Sequence, residues 1–402
     1  MTSEHKLPVS TTSYVYLVLA FLVAAPGLYC GITDTHVTPW LGAIMFGVAV
    51  FGAAFILSWA AEAAQVDISE SLAVAILALV AVLPEYAVDF VFTWKSAHDP
   101  SQAHYAIANM TGSNRLLVGL GWPAVLLAFI VARKRKELVL DKSQRVEIFY
   151  LAIATLYSFT IPLKGYLNLI DTVILVTIFV MYTRRAAQME SVEPEFVGPT
   201  KILANMRDGP RRLFTAFFFI FSGTAIFFVA EPFAESLVAT GSQLGVDEFL
   251  LIQWLAPIAS EAPEFIVAIT WALRGAGRAA IKVLISSKVN QWTLLLGTIP
   301  LVFAISGQAV RPFVLDGFQQ QELWLTAAQS LFGVAVLANL RMSRANGLLL
   351  ASLFTAQLII SQIRVEVAIL YMALAVFYHV KHRDCLFPAA REGLGMREKV
   401  SG

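Results

Sequence analysis

The sequence predicts an all-α, polytopic bundle of about twelve transmembrane helices. Of its 402 residues, 58% are hydrophobic and only 14% are charged, and the mean hydropathy is +0.70. A soluble domain of this length has about a quarter of its residues charged. The expected partner is therefore the lipid bilayer, and the net charge of +1 gives no reason to expect nucleic acid.

Apolar runs of about 17–25 residues, the length that crosses a bilayer as a helix, follow one another along the chain. They are centred on residues 13–33, 38–62, 68–95, 103–132, 147–163, 167–183, 212–232, 247–273, 279–305, 323–341, 346–363 and 365–381. The last two runs could form one long helix. The chain lacks the alternation of apolar and polar residues that is typical of strands.

Basic residues predict the orientation, because lysine and arginine concentrate in the cytoplasmic loops of membrane proteins. The segment 230–248 contains no basic residue. The basic residues gather near 133–145, 184–212, 274–278, 341–344 and 381–399. With twelve spans both termini would be cytoplasmic, in an integral, multi-pass protein of the plasma (inner) membrane.

Two stretches of the chain repeat each other. The first contains LPEYAVDFVFTWKS and then ANMTGSNRLLVGLGWP, and the second contains APEFIVAITWALRG and then SSKVNQWTLLLGTIP. The matched positions are Pro84 with Pro263, Glu85 with Glu264, Asn114 with Asn290, and Pro123 with Pro300. By the distribution of basic residues, the two copies cross the membrane in opposite directions, so they are inverted repeats.

Inverted repeats of this kind predict a transporter, because transporters built from them hold substrate near the membrane midplane, where broken helices meet. Proline lacks an N–H and crowds the carbonyl four residues earlier. Pro84 and Pro263 therefore predict broken helices with exposed carbonyl oxygens. In hydrocarbon such oxygens need a partner, and hard cations such as Ca²⁺ and Na⁺ bind several oxygens at once.

Carboxylates lie next to both prolines and are the main candidate ligands. Glu85 and Asp89 are four residues apart and Glu261 and Glu264 are three apart, so each pair shares a helix face. Glu85 and Glu264 repeat each other and are predicted to bind the metal ion. Asp89 and Glu261 could instead be interfacial carboxylates at helix ends, and each proline could be a simple kink.

The polar segment NMTGSN adds further candidates. Asn109 and Ser113 are four residues apart, and Asn114 lies beside Ser113. These side chains could bind the cation. They could also serve helix–helix packing through small residues.

Basic residues in the same runs have two interpretations. Arg115, Lys282 and Lys288 could reach loops or pair with Asp89, Glu261 or lipid phosphate. Alternatively, a fixed positive charge could replace one transported ion. In that interpretation, Lys288 and Arg115 are the possible internal counter-charges.

The repeated pattern of Pro-Glu, a loop and Gly-Ser-Asn resembles the alpha repeats of the cation/Ca²⁺ exchanger superfamily, which includes sodium/calcium exchangers and proton-coupled calcium antiporters. The resemblance covers about residues 68–125 and 247–302. It implies that the paired glutamates bind the transported Ca²⁺ or Na⁺, with no other cofactor. Taken together, the residue pattern and the resemblance predict these cation-binding residues: Glu85, Glu264, Ser113, Ser260, Asn109, Asn114, Asn290, Asp89 and Glu261.

The family's ten core helices form two inverted halves, so twelve runs imply one extra helix at each end. The expected organisation is an extra N-terminal helix (1–36), a first half (37–183), a cytoplasmic linker (184–211), a second half (212–363), and an extra C-terminal helix with a cytoplasmic tail (364–402).

The sequence also departs from the family pattern. Ala81-Val82 stands where the family has Thr-Ser, and Lys288-Val289-Asn290 stands where the second repeat has Gly-Ser-Asn. Leu117 and Thr293 replace a family Asn or Asp. These changes argue against a high-affinity Ca²⁺ site more than against cation exchange.

The predicted function is a secondary active antiporter that exchanges Ca²⁺ or Na⁺ for Na⁺ or H⁺, with two flanking helices sliding past a rigid core. The alternative is a Na⁺/H⁺ antiporter on the same scaffold, since two carboxylates can trade protons for Na⁺. An enzyme is not expected, because the six histidines lie at the ends of runs or in tails. A channel or a non-transporting scaffold fits paired, broken helices less well.

Overall fold

The computed structural model describes residues 7–67, 82–188 and 196–395, so the part of the third predicted run before residue 82 lies outside it. The described chain is largely helical. Its α-helices are α1 (Thr11–Thr33), α2 (Pro39–Ala64), α3 (Leu83–Ser96), α4 (Ala103–Leu116), α5 (Trp122–Arg133), α6 (Arg145–Ser158), α7 (Thr160–Lys164), α8 (Leu169–Ala186), α9 (Thr200–Ala204), α10 (Asp208–Leu244), α11 (Glu248–Leu273), α12 (Gly277–Asn290), α13 (Leu296–Ser306), α14 (Gly317–Leu337), α15 (Arg344–Ile359), α16 (Arg364–Lys381) and α17 (Leu386–Gly393). Its strands are β1 (Glu137–Val139), β2 (Tyr166–Leu167), β3 (Phe313–Val314) and β4 (Arg341–Ser343).

Seven stretches of the described residues are long and apolar enough to cross a membrane. They are Thr11–Thr33, Pro39–Ala64, Pro100–Arg133, Lys142–Lys164, Asp208–Leu244, Glu248–Leu273 and Gly277–Ser306. An eighth results if Arg364–Lys381 and Arg383–Gly393, bent by 75° at their junction, are one broken span. Other predicted runs form helices that are shorter or more polar. The predicted class, a polytopic helical membrane protein, is confirmed.

The last two predicted runs form two helices rather than one. α15 ends at Ile359, α16 begins at Arg364, and a 3-10 turn over Ser361–Ile363 separates them. The apolar pattern is interrupted at the same place by the polar residues Ser361, Gln362 and Arg364.

The chain forms two compact units. The first contains residues 1–91 and 190–263, and the second contains residues 92–189 and 264–402. The division passes through α3 after Val91 and through α11 after Pro263. Both helices that carry a Pro-Glu pair are therefore shared between the units.

In the first unit, α2 packs along the long helix α10, and α1 lies against both. Small residues permit this approach: a Cβ added at Gly47 would lie 3.0 Å from the ring of Phe233. Close contact matters here because van der Waals packing, rather than exclusion of water, joins helices within a bilayer. α3 joins the same core through Leu83 and Ala87, which pack on Ala53, Leu57, Ala225 and Ile226.

The second unit contains two copies of one helical arrangement. In each copy a 14-residue helix, α4 or α12, continues into a five-residue π-helical segment, Leu117–Gly121 or Gln291–Leu295, and then into α5 or α13. β1, after α5, pairs antiparallel with β4, before α15. β3, after α13, pairs antiparallel with β2, before α8. This reciprocal pairing is the arrangement expected of two related halves.

An ion-pair network lies in the first unit where α2 ends. The Asp67 carboxylate accepts two hydrogen bonds from Arg211, both at 2.8 Å, and one from Arg212 at 2.8 Å. The Arg211 guanidinium, aided by Arg212, holds the pKa of Asp67 well below its usual range. Because the folded-state pKa is lowered, this contribution to stability is present above the ordinary Asp pKa of about 3.9 and is lost as the pH falls below it.

We expect Asp67→Asn to lower the free energy of unfolding by about 1–3 kcal/mol, because an amide has one oxygen acceptor for two guanidinium groups. The thermal unfolding midpoint in detergent at pH 7 measures this loss. Asp208→Asn is the matched control, since Asp208 also bonds Arg211 at 2.8 Å but its side chain is 76% exposed. Exposed pairs contribute about 0–1 kcal/mol, so equal losses in the two variants would contradict the assignment.

Candidate functional site

In the first unit two predicted ligands, Glu85 and Asp89, are buried on α3. α3 begins at Leu83, so Pro84 and Glu85 lie in its first turn. A proline is tolerated there because its missing N–H would have no intrahelical partner, and the N-terminal end of a helix favours a carboxylate. The carbonyls that Pro84 was predicted to free belong to residues 80 and 81, which lie outside the described residues.

The first unit also contains Ser260 and Glu261, which are buried on α11. α11 is continuous through both of its prolines. Pro263 cannot donate to the carbonyl of Ala259, so that carbonyl lacks its usual helical hydrogen bond. The Ser260 hydroxyl donates to the carbonyl of Ala256 at 3.1 Å.

In the second unit the three predicted ligands on α4, Asn109, Ser113 and Asn114, are completely buried. The Ser113 hydroxyl donates to the carbonyl of Asn109 at 3.0 Å, and the Asn114 amide nitrogen donates to the carbonyl of Met110 at 2.9 Å. A hydroxyl that donates in this way keeps lone pairs that can accept a proton donor or bind a cation. The side-chain oxygens of Ser113 and Asn114 can therefore each accept a hydrogen bond or bind a cation.

A fixed ammonium group engages one of these side chains. The Nζ atom of Lys288, which is fully buried on α12, donates to the side-chain oxygen and to the backbone carbonyl of Asn114, each at 2.8 Å. The same Nζ lies 5.1 Å from the centroid of the Trp292 ring, within the range of a cation–π interaction. A positive charge therefore lies on oxygens that would otherwise suit a metal cation.

The helix ends give a repeat register that differs by two residues from the one read from the sequence. Asn114 and Lys288 are each the third residue from the end of a 14-residue helix that leads into a π-helical segment. By this criterion Lys288, rather than Asn290, is the counterpart of Asn114. The sequence match instead pairs Asn114 with Asn290, because the two asparagines are its anchor.

The register of the helix ends makes Ser287 the counterpart of Ser113. Ser287 was not among the predicted ligands, and its side chain lies close to that of Glu264 within the second unit. Glu264 is half-buried, and its Oε2 atom is shielded from solvent. Asn290, the predicted ligand, is fully buried at the last position of α12. The doubled serine of SSKVNQ was the signal that could have identified Ser287.

Arg115 and Lys282 pair with acidic residues that sequence reasoning had not singled out. Arg115 Nη2 lies 2.5 Å from Glu322 Oε2 on α14, and both side chains are buried. Lys282 Nζ lies 3.6 Å from Glu147 Oε1 on α6. The sequence had suggested Asp89, Glu261 or lipid phosphate as partners.

Among residues 7–67, 82–188 and 196–395, no three His, Cys, Asp or Glu side chains are grouped so that they could hold a metal ion. A bound cation would therefore need oxygens of serine, asparagine or the backbone besides carboxylates. Such an oxygen-rich donor set suits hard cations, whereas Zn²⁺ sites in proteins are rich in Cys and His.

The known proteins that resemble this chain are exchangers of such hard cations. Residues 9–186 and 214–362 match the family described as sodium/calcium exchanger protein. Among solved structures, the crystal structure of the H⁺/Ca²⁺ exchanger CAX is 40% identical and covers 96% of this chain and 98% of that one, with a TM-score of 0.92. No curated protein sequence matches the chain.

More distant structures share the fold. Native YfkE is 14% identical, covering 85% of this chain and 98% of that one, with a TM-score of 0.63. The sodium-calcium exchanger NCX_Mj is 17% identical, covering 86% of this chain and 98% of that one, with a TM-score of 0.52. Because the family match spans most of the chain and is joined by a 40% identical structure over nearly its full length, the chain belongs to the sodium/calcium exchanger family and is a membrane cation antiporter, not an enzyme.

Proposed function

We propose that this antiporter exchanges Ca²⁺ for H⁺, with Glu85 and Glu264 as the residues that bind Ca²⁺ and protons in turn. The observation that carries the proposal is the Lys288 ammonium on both oxygens of Asn114, each at 2.8 Å. Coupling to several Na⁺ ions requires many oxygen ligands, and here a lysine uses two of them. Coupling to protons requires only carboxylates that can be protonated.

The composition of the first repeat supports the same choice. Leu117 stands where the family has an Asn or Asp, which removes an amide or carboxylate oxygen from the helices that would surround Na⁺. Structural similarity points the same way, because the protein that is 40% identical over nearly the full chain is described as an H⁺/Ca²⁺ exchanger.

In the proposed cycle Glu85 and Glu264 accept Ca²⁺ on one side of the membrane and protons on the other. Ser113, Ser260, Asn109 and Asn290 are proposed to complete the oxygen ligands, and Asp89 and Glu261 to lie at the approaches to the site. A hard cation needs several oxygens at once, so binding of Ca²⁺ and protonation of the two glutamates exclude each other.

We propose that the protein lies in the plasma (inner) membrane with both termini in the cytoplasm. The support is the distribution of Lys and Arg, which favours the cytoplasmic side for the loops near residues 133–145 and 341–344. Labelling single cysteines placed in these loops with a membrane-impermeant reagent tests the orientation. Labelling of both loops from outside intact cells would contradict it.

Flux through the purified protein in proteoliposomes tests the choice of ions. We expect an outward H⁺ gradient to drive Ca²⁺ uptake, and an outward Na⁺ gradient of the same size, at equal pH on both sides, to drive none. Ca²⁺ uptake driven by Na⁺ alone would contradict proton coupling. Exchange of Na⁺ for H⁺ without Ca²⁺ transport would establish the Na⁺/H⁺ alternative.

A further inference from the structure

A second sequence pattern, Asp-x-x-Gln-x-x-Glu, also occurs once in each half of the chain. It reads DKSQRVE from Asp141 to Glu147 and DGFQQQE from Asp316 to Glu322. Both copies lie at the start of a helix of the second unit, α6 or α14, and the Glu of each copy is inside the helix. The exchange site described above uses neither copy.

The Asp and the Gln of the pattern make the same local structure in both copies. The backbone N–H of Asp141 donates to the Gln144 side chain at 2.7 Å, and that of Asp316 donates to the Gln319 side chain at 2.9 Å. Each Asp side chain in turn caps backbone N–H groups of the next residues. Reciprocal capping of this kind sets where a helix begins. The capping therefore also fixes the position of the Glu that lies three residues after the Gln.

That Glu lies inside the second unit and faces the other half of the chain. Glu322 of the second half pairs with Arg115 on α4 of the first half, with Nη2 2.5 Å from Oε2. Glu147 of the first half pairs with Lys282 on α12 of the second half at 3.6 Å. Both acids are almost completely buried, with 2% of Glu147 and none of Glu322 exposed.

Each pair is attached to a helix that carries candidate ligands. Arg115 is adjacent to Asn114 in the chain, and its backbone carbonyl accepts from Gln329 of α14 at 3.4 Å. Lys282 precedes Lys288 by six residues on α12. Breaking a buried ion pair leaves an uncompensated charge in a poorly solvated site, so a movement of the helix that separates the pair is costly.

We propose that Glu147 and Glu322 are repeat-related positioning residues, which we call the cross-braces. Each holds the ligand-bearing helix of the opposite half, so that Ser113 and Asn114 on α4 and Ser287 and Lys288 on α12 keep their register. The effect on transport rests on the proposed function, whereas the effect on helix position does not.

The two cross-braces differ in strength. Glu322 also pairs with Arg364 at 2.6 Å, and Arg115 donates to the side-chain oxygen of Gln357 at 2.6 Å. Arg364 begins α16, beyond the last residue matched by the family, 362. α16 thus reinforces the Glu322 brace. The Glu147 pair is longer, and Lys282 is 31% exposed.

The transport test compares Glu147→Gln and Glu322→Gln with Arg341→Gln. Arg341 also pairs across the halves, with Glu137 at 3.1 Å, but both side chains are exposed. We expect each brace variant to raise the KM for Ca²⁺ about tenfold while the maximal rate stays within about threefold, and Arg341→Gln to change neither. The exchanged pair Glu147→Lys with Lys282→Glu should restore most of the KM. An unchanged KM in Glu147→Gln, or no recovery in the exchanged pair, would overturn the proposal.

Hydrogen–deuterium exchange of the purified protein tests helix position without any transported ion. We expect Glu322→Gln to raise exchange selectively in residues 103–116 and Glu147→Gln selectively in residues 277–290. Uniform changes, or none, would overturn the proposal. Glu322→Gln leaves the buried Arg115 and the half-buried Arg364 without their carboxylate and could fail to fold, whereas in Glu147→Gln the partly exposed Lys282 can turn to water. If the wild-type protein transports no Ca²⁺, the proposed function fails. The hydrogen–deuterium exchange measurements then still decide whether the cross-braces hold the two helices.

Discussion

Glu85→Gln and Glu264→Gln should each reduce Ca²⁺ transport to less than about one hundredth of the parent rate, because hard cations require charged oxygen ligands and an amide removes the charge while keeping the size. Both residues follow a proline in inverted copies of the same motif. Glu85 is buried in the first turn of α3, and Glu264 is half-buried beside Ser287. Ca²⁺ flux in proteoliposomes under an outward H⁺ gradient measures the loss.

Glu62→Gln is the matched control for this prediction. Glu62 lies on α2, outside both repeats, and accepts a hydrogen bond from Thr200 at 2.8 Å. We expect this variant to transport at a rate within about twofold of the parent, since an amide oxygen also accepts from a hydroxyl. Normal elution in size-exclusion chromatography verifies that each variant is folded. Transport retained in both Glu85→Gln and Glu264→Gln would remove them from the site.

Lys288→Met should change the charge that is moved in each transport cycle. The variant keeps the length of the side chain but removes an ammonium from the two oxygens of Asn114, each now 2.8 Å from Nζ. A cation from solution can then occupy these oxygens, so we expect about one additional positive charge to accompany each cycle. The membrane potential at which Ca²⁺ flux reverses, measured with clamped gradients, reports this ratio.

Lys282→Met is the control for the change in ratio. It removes the same chemical group from the same helix, but at a position where the ammonium pairs with Glu147. We expect it to alter the KM without altering the reversal potential. If Lys288→Met keeps the parent's reversal potential, ion selectivity and pH profile, Lys288 is a structural residue and not a counter-charge.

Hydropathy and the repeated Pro-Glu motif were sufficient to predict the fold class and the family. The burial of every predicted ligand on α4 also follows from the sequence, because polar residues inside an apolar run must face protein or a cavity rather than lipid. The predicted pairs Glu85 with Asp89 and Glu261 with Glu264 lie on described helices, α3 and α11, as expected.

Other features depend on packing that a local pattern cannot reveal. The partner of Arg115, Glu322, is 207 residues away in the chain. Composition alone does not distinguish Glu322 from the other acidic residues at the ends of apolar runs. The π-helical segments Leu117–Gly121 and Gln291–Leu295 have ordinary apolar sequences. Because the sequence does not show where those segments begin, it could not show that Asn114 and Lys288 occupy the same place before them.

Paired strands were also beyond sequence reasoning. β2 and β3 contain two residues each, too few for any alternation to be visible. Their pairing joins residues near 166 and 313, and loop residues carry no signal for such a distant contact.

Equilibrium binding of Ca²⁺ to the purified protein at pH 8 and at pH 6 tests the central claim most directly, namely that protons and Ca²⁺ compete for the same pair of glutamates. Protons that bind the same carboxylates must weaken Ca²⁺ binding as the pH falls, and coupled groups act together in this competition. We expect the apparent Kd to rise about tenfold or more between pH 8 and pH 6. An apparent Kd that is equal at the two pH values would contradict the claim, since it would mean that the glutamates stay ionised in a pre-formed ion pair and carry no protons.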